Sequence, residues 1–148
     1  MKQESNFYVT TPFTRELPIG LRLKLGPFEE AITELTATIE KRMAGSLIAP
    51  AGSGKTVILR GIGESLPAAR FKVTYIKVTD LSARDMCREI ATAIGAKPAS
   101  LFNTLVKNIQ ESLAGDYQTN GLKPVLLIDE AQEMRPAAVS ILNAFDQF

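Results

Sequence analysis

A helical repeat of apolar residues begins at Pro27. Residues three or four positions apart share one face of an α-helix, so this repeat predicts an amphipathic helix. Glu29 and Glu30 lie in its first turn, and Gly45 is a typical stop signal. The apolar positions that define the repeat are Phe28, Ile32, Leu35, Ile39 and Met43. We therefore predict a helix that begins at Pro27 and stops at Gly45.

A glycine-rich segment follows, between two further predicted elements. The short apolar run from Ser46 to Pro50 predicts a strand. A second helix is predicted from Lys55 to about Leu66, and it ends before Pro67, which lacks the N–H group that a helix interior needs. We call residues 49–54 between these elements the glycine loop. The order is therefore strand, glycine loop, helix.

The rest of the chain alternates between strand and helix patterns. β-Branched and aromatic residues predict a strand over Phe71–Val78, and a nearly continuous apolar run predicts another over Pro124–Ile128. The polar residues 115–123 predict a loop. Helices are predicted from the capping residue Ser82 to near Gly95, from Ser100 to Ala114, and from Pro136 onward.

This alternation determines the predicted fold class. Strands that alternate with helices imply a parallel sheet with helices on both faces, so we predict an α/β fold with three αβα layers. Residues 1–26 show no sustained repeat and contain Pro12, Pro18 and Gly20. They predict an irregular N-terminal lead-in. Residues 27–148 are expected to form the folded core.

Composition narrows the functional classes. The 148 residues include 17 basic and 16 acidic side chains, so the formal charge of +1 gives no long-range attraction to nucleic acid or to an anionic membrane. Histidine is absent, which removes the commonest general base. The single cysteine, Cys87, cannot form an internal disulfide. Because neither a signal peptide nor a long apolar run is visible, we expect a soluble, cytoplasmic protein without a membrane segment.

The glycine loop and the start of the next helix carry the strongest chemical signal. Glycines let successive backbone N–H groups curl around a phosphate, and the helix N-terminus adds a favourable dipole. We expect Lys55 to contact the β- and γ-phosphates and the Thr56 hydroxyl to bind Mg²⁺. The usual pattern begins with glycine, and here Ala49 takes that position. The residues predicted to bind the nucleotide are Pro50, Ala51, Gly52, Ser53, Gly54, Lys55, Thr56 and Val57.

An acidic pair, Asp129 and Glu130, follows the apolar strand 124–128. Asp129 is predicted at the carboxyl edge of the sheet, where α/β folds bind ligands, and it can bind Mg²⁺ directly or through water. Glu130 is a candidate base that polarises the attacking water. With Lys55 as the second catalytic candidate, these residues predict an ATP and Mg²⁺ site. Gln132 either assists the water or is simply solvated.

Each of these signals also has a simpler explanation. A glycine-rich turn can do no more than cap a helix, and acidic residues often end strands. The two together favour the nucleotide site, because they occupy the required strand and helix context. The scattered arginines are either DNA contacts or ordinary solvated positions. They are Arg60, Arg70, Arg84 and Arg88.

These motifs resemble the AAA+ P-loop ATPases, in particular the ExeA-like branch, which includes ATPases that accompany bacterial transposases. Two segments besides the glycine loop carry the resemblance, residues 78–86 (Val-Thr-Asp-Leu-Ser-Ala-Arg-Asp-Met) and residues 126–132 (Leu-Leu-Ile-Asp-Glu-Ala-Gln). Pro12 and Phe13 of the lead-in also look like that branch. There they either pack beside the adenine ring or simply anchor the lead-in.

The family layout has a sheet ordered 5-1-4-3-2, with the glycine loop after the first strand. The resemblance implies that this chain ends one helix after the third strand and lacks the later strands, the arginine finger region and the helical lid. We therefore expect a truncated domain in which the strand before the glycine loop has lost both neighbours. Weak nucleotide binding and slow hydrolysis are expected from the 148-residue chain.

The resemblance also suggests a function. We expect an ATPase that acts as an accessory to DNA transposition, assembles as a ring or filament when full length, and contacts double-stranded DNA and a transposase. An alternative is an ExeA-like ATPase that energises secretion or envelope assembly, although the sequence shows no membrane segment. A small-molecule P-loop kinase is a third possibility, which Glu130 disfavours because it suits water as the acceptor.

Overall fold

The computed structural model describes residues 26–143 and residue 145. The predicted lead-in, including Pro12 and Phe13, lies outside these residues apart from Gly26. The elements in chain order are α1 (Gly26–Glu40), α2 (Lys55–Ser65), β1 (Phe71–Lys77), α3 (Ala83–Ile94), α4 (Phe102–Asn120), β2 (Lys123–Asp129), a 3-10 helix (Ala131–Glu133) and α5 (Pro136–Leu142).

The two strands form a parallel sheet in which Phe71 pairs with Lys123 and Lys77 pairs with Asp129. Because α3 and α4 connect them, β1 and β2 run in the same direction, as a helical crossover allows. Both strands therefore end at one edge of the sheet. This register places Asp129 at that edge, as the sequence predicts.

One face of the sheet packs against α2, with α1 outside it. Phe71 of β1 and Val125 and Leu127 of β2 form a buried cluster with apolar residues of α2. Gly63 allows the close approach, because a Cβ atom there would lie 3.3 Å from Leu127 Cδ1. The other members of this cluster are Ile58 and Ile62 of α2 and Leu66, which directly follows α2.

The opposite face packs against α3, α4 and α5 and forms the larger core. Ile76 contributes from β1, and Leu126 and Ile128 pack against the cluster from β2. Its helical members include Met86, Cys87, Ile90, Leu105, Ile109, Leu113 and Ala138. Helices therefore cover both faces of a parallel sheet, which confirms the predicted α/β class and its three layers.

The prediction of a strand at Ser46 to Pro50 is wrong, since the structure has no strand there. Ile48 is 92% exposed, so its side chain has no core to enter. A strand is defined by hydrogen bonds to a neighbour, and β1 pairs only with β2 within the described residues. Residues 46–50 therefore have no strand partner among the described residues.

Two helix ends also differ from the predictions. α1 stops at Glu40 because Arg42 takes a left-handed conformation (φ 59°), and the amides of Arg42 and Met43 bond back to Ile39 and Thr38. This is a Schellman end formed without glycine. α4 continues through the predicted loop to Asn120, and Gly121 (φ 67°) ends it.

Candidate functional site

The glycine loop takes a shape that two glycines make possible. Gly52 has φ 77° and Gly54 has φ 87°. Both angles lie in the left-handed region, where a residue with a Cβ atom is strained. Gly54 also meets the ring of Phe28, because a Cβ atom there would lie 2.8 Å from Phe28 Cζ. Conformation and packing against α1 therefore both require glycine at position 54.

The loop leads directly into the N-terminus of α2. The Gly54 carbonyl accepts hydrogen bonds from the amides of Val57 (2.9 Å) and Ile58 (3.0 Å), which closes the first turn. The amides at the start of an α-helix have no intrahelical acceptor and carry partial positive charge. This end of α2 is therefore suited to bind an anion such as phosphate.

The Lys55 side chain turns back onto the loop. Its Nζ donates to the carbonyls of Ala49 (2.8 Å) and Pro50 (2.9 Å). The buried hydroxyl oxygen of Ser53 has no hydrogen-bond partner. A lysine ammonium has three donors, so Lys55 keeps one for an anion beyond these two carbonyls, and Ser53 brings an unused polar group to the same loop.

Thr56 and Asp129 meet across the two halves of the site. The Thr56 hydroxyl donates to Asp129 Oδ2 at 2.8 Å, and Asp129 Oδ1 accepts from the Glu130 amide at 2.9 Å. Asp129 is only 5% exposed. The predicted proximity of the start of α2 and the acid at the end of β2 is therefore observed.

Tyr75 is a third member of this cluster that sequence reasoning missed. Its hydroxyl donates to Asp129 Oδ2, the oxygen that Thr56 also contacts. Tyr75 lies opposite Leu127, so its side chain emerges on the same face of the sheet as Asp129. The alternation along β1 places Val73, Tyr75 and Lys77 on one face of the strand. This pattern could identify Tyr75 as a site residue only once the register with β2 is known.

The cluster shifts the pKa values of its acidic groups in opposite directions. Burial alone would raise the pKa of Asp129, but hydrogen bonds from Tyr75, Thr56 and the Glu130 amide, with the charge of Lys77, hold it below its usual value. Burial and the contact with Asp129 raise the pKa of Tyr75 to about 12. At neutral pH the carboxylate is therefore charged and the phenol is protonated.

Glu130 follows Asp129 in a strained backbone conformation. Its φ of 57° is left-handed, which is uncommon for a residue with a side chain and is found often at functional sites. Glu130 Oε2 accepts a hydrogen bond from the side-chain Nε2 of Gln132 at 2.5 Å. Gln132 therefore orients the carboxylate that the sequence predicts to be the base. The sequence alone did not predict this contact.

The donor set of this site fits Mg²⁺. The Thr56 hydroxyl and the Asp129 carboxylate supply hard oxygen ligands, and Mg²⁺ is commonly held by one or two carboxylates with water and substrate phosphates. Among residues 26–143 and 145, no group of three His, Cys, Asp or Glu side chains is placed to bind a metal ion. Thr56 and Asp129, whose side-chain oxygens lie 2.8 Å apart, are the residues that would hold such an ion.

Other residues that the sequence singled out have structural contacts. Cys87 is fully buried, and burial raises the pKa of its thiol to about 11, so it is not an activated nucleophile. Three of the arginines contact other residues of the chain. Arg70 contacts Glu40 (3.5 Å), Arg84 the Ser100 carbonyl (3.4 Å) and Arg88 Asp85 (3.0 Å).

Comparison with known protein families gives a match. A family model described as an AAA domain matches residues 38–148, which include the glycine loop and the acidic pair. No curated protein and no solved structure matches the chain. None of the helices in the part of the chain that the structure describes is both long and apolar enough to span a membrane.

Proposed function

Because this chain belongs to the AAA domain family of P-loop ATPases, we propose that it binds ATP with Mg²⁺, hydrolyses it, and acts as an accessory to DNA transposition. The observation that carries the ATP site is the 2.8 Å contact between Thr56 and Asp129. It brings the start of α2 and the end of β2 to one point, although the two residues are far apart in sequence.

In this proposal, the residues from Pro50 to Val57 hold the phosphates. Backbone amides at the start of α2 donate to phosphate oxygens, and Lys55 leaves its loop carbonyls to neutralise the β- and γ-phosphates. Thr56 and Asp129 hold Mg²⁺, which when bound neutralises negative charge on the phosphate oxygens. Glu130, oriented by Gln132, accepts a proton from the attacking water.

The role in transposition rests on resemblance rather than charge. Residues 78–86 and 126–132 resemble the ExeA-like branch, and the formal charge of +1 offers no general attraction to DNA. Contact with double-stranded DNA and a transposase therefore depends on a local surface. AAA domains often form oligomers, and we propose that this protein acts as a homo-oligomer. The same resemblance supports the second candidate, an ATPase that energises secretion or envelope assembly.

Nucleotide titration tests the ATP site. We expect a fluorescent ATP analogue to bind the wild-type chain in the presence of Mg²⁺, and Lys55→Ala to weaken binding at least about tenfold, because the triphosphate loses its cation. Lys107→Ala is the matched control, since Lys107 lies on the exposed surface of α4 and pairs with Glu111. Equal affinity of the wild type and Lys55→Ala would contradict the proposed site.

DNA titration separates the two cellular roles. Binding of double-stranded DNA that requires ATP and weakens steeply with salt supports the transposition role, because phosphate contacts release counterions. Absence of ATP-dependent DNA binding at low salt would reject it and favour the secretion role.

A further inference from the structure

We propose that Tyr75 is a positioning residue for the magnesium site. Its phenolic hydroxyl holds the Asp129 carboxylate in place. This inference rests on the proposed nucleotide function. It adds a residue from β1 to a site built otherwise from the start of α2 and the end of β2.

The argument begins with the number of donors around one carboxylate. Asp129 Oδ2 accepts from the hydroxyls of Tyr75 and Thr56, and Oδ1 accepts from the Glu130 amide. These three donors come from three separate segments of the chain. They fix both the rotation and the charge of a side chain that is 5% exposed.

The donors differ in how they would relate to a metal. Thr56 is itself a predicted ligand, and the Glu130 amide belongs to the backbone next to Asp129. Tyr75, in contrast, lies on the other strand, β1. Its hydroxyl contacts Asp129 and is not itself a predicted metal ligand. Residues that hydrogen-bond a metal ligand, without binding the metal themselves, set the orientation of that ligand. Their removal commonly lowers metal affinity about 10–100-fold.

The position of the Tyr75 ring allows the effect of its hydroxyl to be measured apart from the packing of the ring. Tyr75 is 38% exposed and lines an open groove between α2 and β1 with Val73, Leu127, Arg60, Gly63 and Glu64. Phenylalanine fills the same volume and keeps the contact with the groove. The substitution Tyr75→Phe therefore removes little except the hydrogen bond to Asp129.

The test measures how nucleotide affinity depends on Mg²⁺. A fluorescent ATP analogue is titrated into wild type and Tyr75→Phe over a range of Mg²⁺ concentrations, and also in EDTA. We expect the Mg²⁺ concentration for half-maximal binding to rise about tenfold in Tyr75→Phe. Affinity in EDTA should be unchanged, because the phosphate contacts of the glycine loop do not involve Tyr75.

Tyr117→Phe is the matched control. Tyr117 lies on α4, where it is 42% exposed and its ring contacts Arg42, so the variant loses a hydroxyl far from Asp129. We expect its Mg²⁺ requirement to equal that of the wild type. Circular dichroism of both variants checks that the fold is retained.

The outcomes are distinguishable. An unchanged Mg²⁺ requirement in Tyr75→Phe overturns the positioning role and leaves the nucleotide site standing. An equal loss of affinity with Mg²⁺ and in EDTA also overturns it, because it indicates a general disturbance of the fold. If the wild type binds no nucleotide in either condition, the proposed function fails and this inference fails with it.

Discussion

The two faces of the sheet are built differently. On the α3 and α4 face, Cys87, Ile90 and Ile109 are fully buried in one continuous core. On the other face, α1 contains no buried residue, and the segment before the glycine loop exposes Ile48 almost completely. The first face has the larger core, whereas the second has a smaller buried cluster around Ile62 and carries the polar groups that meet at Asp129. The larger core and the polar cluster therefore lie on different faces, and four comparisons test how far stability and chemistry are separated.

The largest effect is expected from a pair of isoleucines, one from each region. Ile109→Ala removes a side chain with no exposed surface and should lower the free energy of unfolding by about 2–5 kcal/mol. Ile48→Ala removes the same atoms from a side chain that is 92% exposed and should change stability by less than about 0.5 kcal/mol. Urea denaturation measures both. Similar costs would show that residue 48 is packed in solution.

A pair of glycines tests whether the glycine loop is fixed by packing as well as conformation. Gly54 and Gly95 both have left-handed φ angles, but only Gly54 contacts a ring. Alanine at position 95 should cost about 1–2 kcal/mol of strain. Gly54→Ala adds overpacking against Phe28, for about 2–4 kcal/mol in total. Thermal unfolding compares the two, and Gly54→Ala combined with Phe28→Ala should recover part of the difference.

The charge of Asp129 should make its stabilising effect depend on pH. Asp129→Asn weakens the bonds from Tyr75 and Thr56, and we expect a cost of about 1–3 kcal/mol at pH 7 in the absence of Mg²⁺. The folded-state pKa of Asp129 is lowered, so its contribution is fully present above the unfolded pKa of about 3.9 and is lost as pH falls through the folded value.

Denaturation of wild type and Asp129→Asn from pH 7 to pH 2 measures this difference. It should be constant above about pH 5 and shrink below about pH 4. A difference that grows on acidification would mean that the folded-state pKa is raised rather than lowered.

The smallest effect is expected at an ion pair that ties α4 to the sheet. Lys72 Nζ lies 2.7 Å from Asp116 Oδ2, and the carboxylate side chain is 19% exposed. Lys72→Ala should cost about 0.5–1 kcal/mol, less at high salt, since partly exposed pairs contribute little. Lys107→Ala breaks the exposed pair with Glu111 and serves as the control. Chemical denaturation in low and high salt compares them.

Local signals in the sequence predicted most element bounds. α2, β1, α3 and β2 lie within two residues of their predicted ends, because Pro67, Ser82 and Gly95 act on their immediate neighbours. The errors have non-local causes. The run at residues 46–50 is apolar enough for a strand but has no pairing partner, and Gly115 reads as a breaker although it lies inside α4.

The same distinction applies to the candidate site. The glycine loop and the acidic pair are visible as short motifs, and the two motifs together predict that Thr56 and Asp129 lie close together, as they do. The roles of these residues stay predictions. Tyr75 could not be found in this way, because its contact depends on how β1 and β2 align. The bond between Gln132 and Glu130 depends on the left-handed backbone at Glu130.

The inward turn of Lys55 has a consequence for ligand selectivity. Two carbonyls hold the ammonium, so an incoming anion competes with those carbonyl dipoles for the cation. Apparent affinity is the intrinsic affinity scaled by the fraction of molecules in which the lysine has swung out. A lone inorganic ion gains few contacts in return, whereas a longer polyphosphate gains many. In the proposed site, these resting contacts of Lys55 would therefore favour a polyphosphate over a small anion.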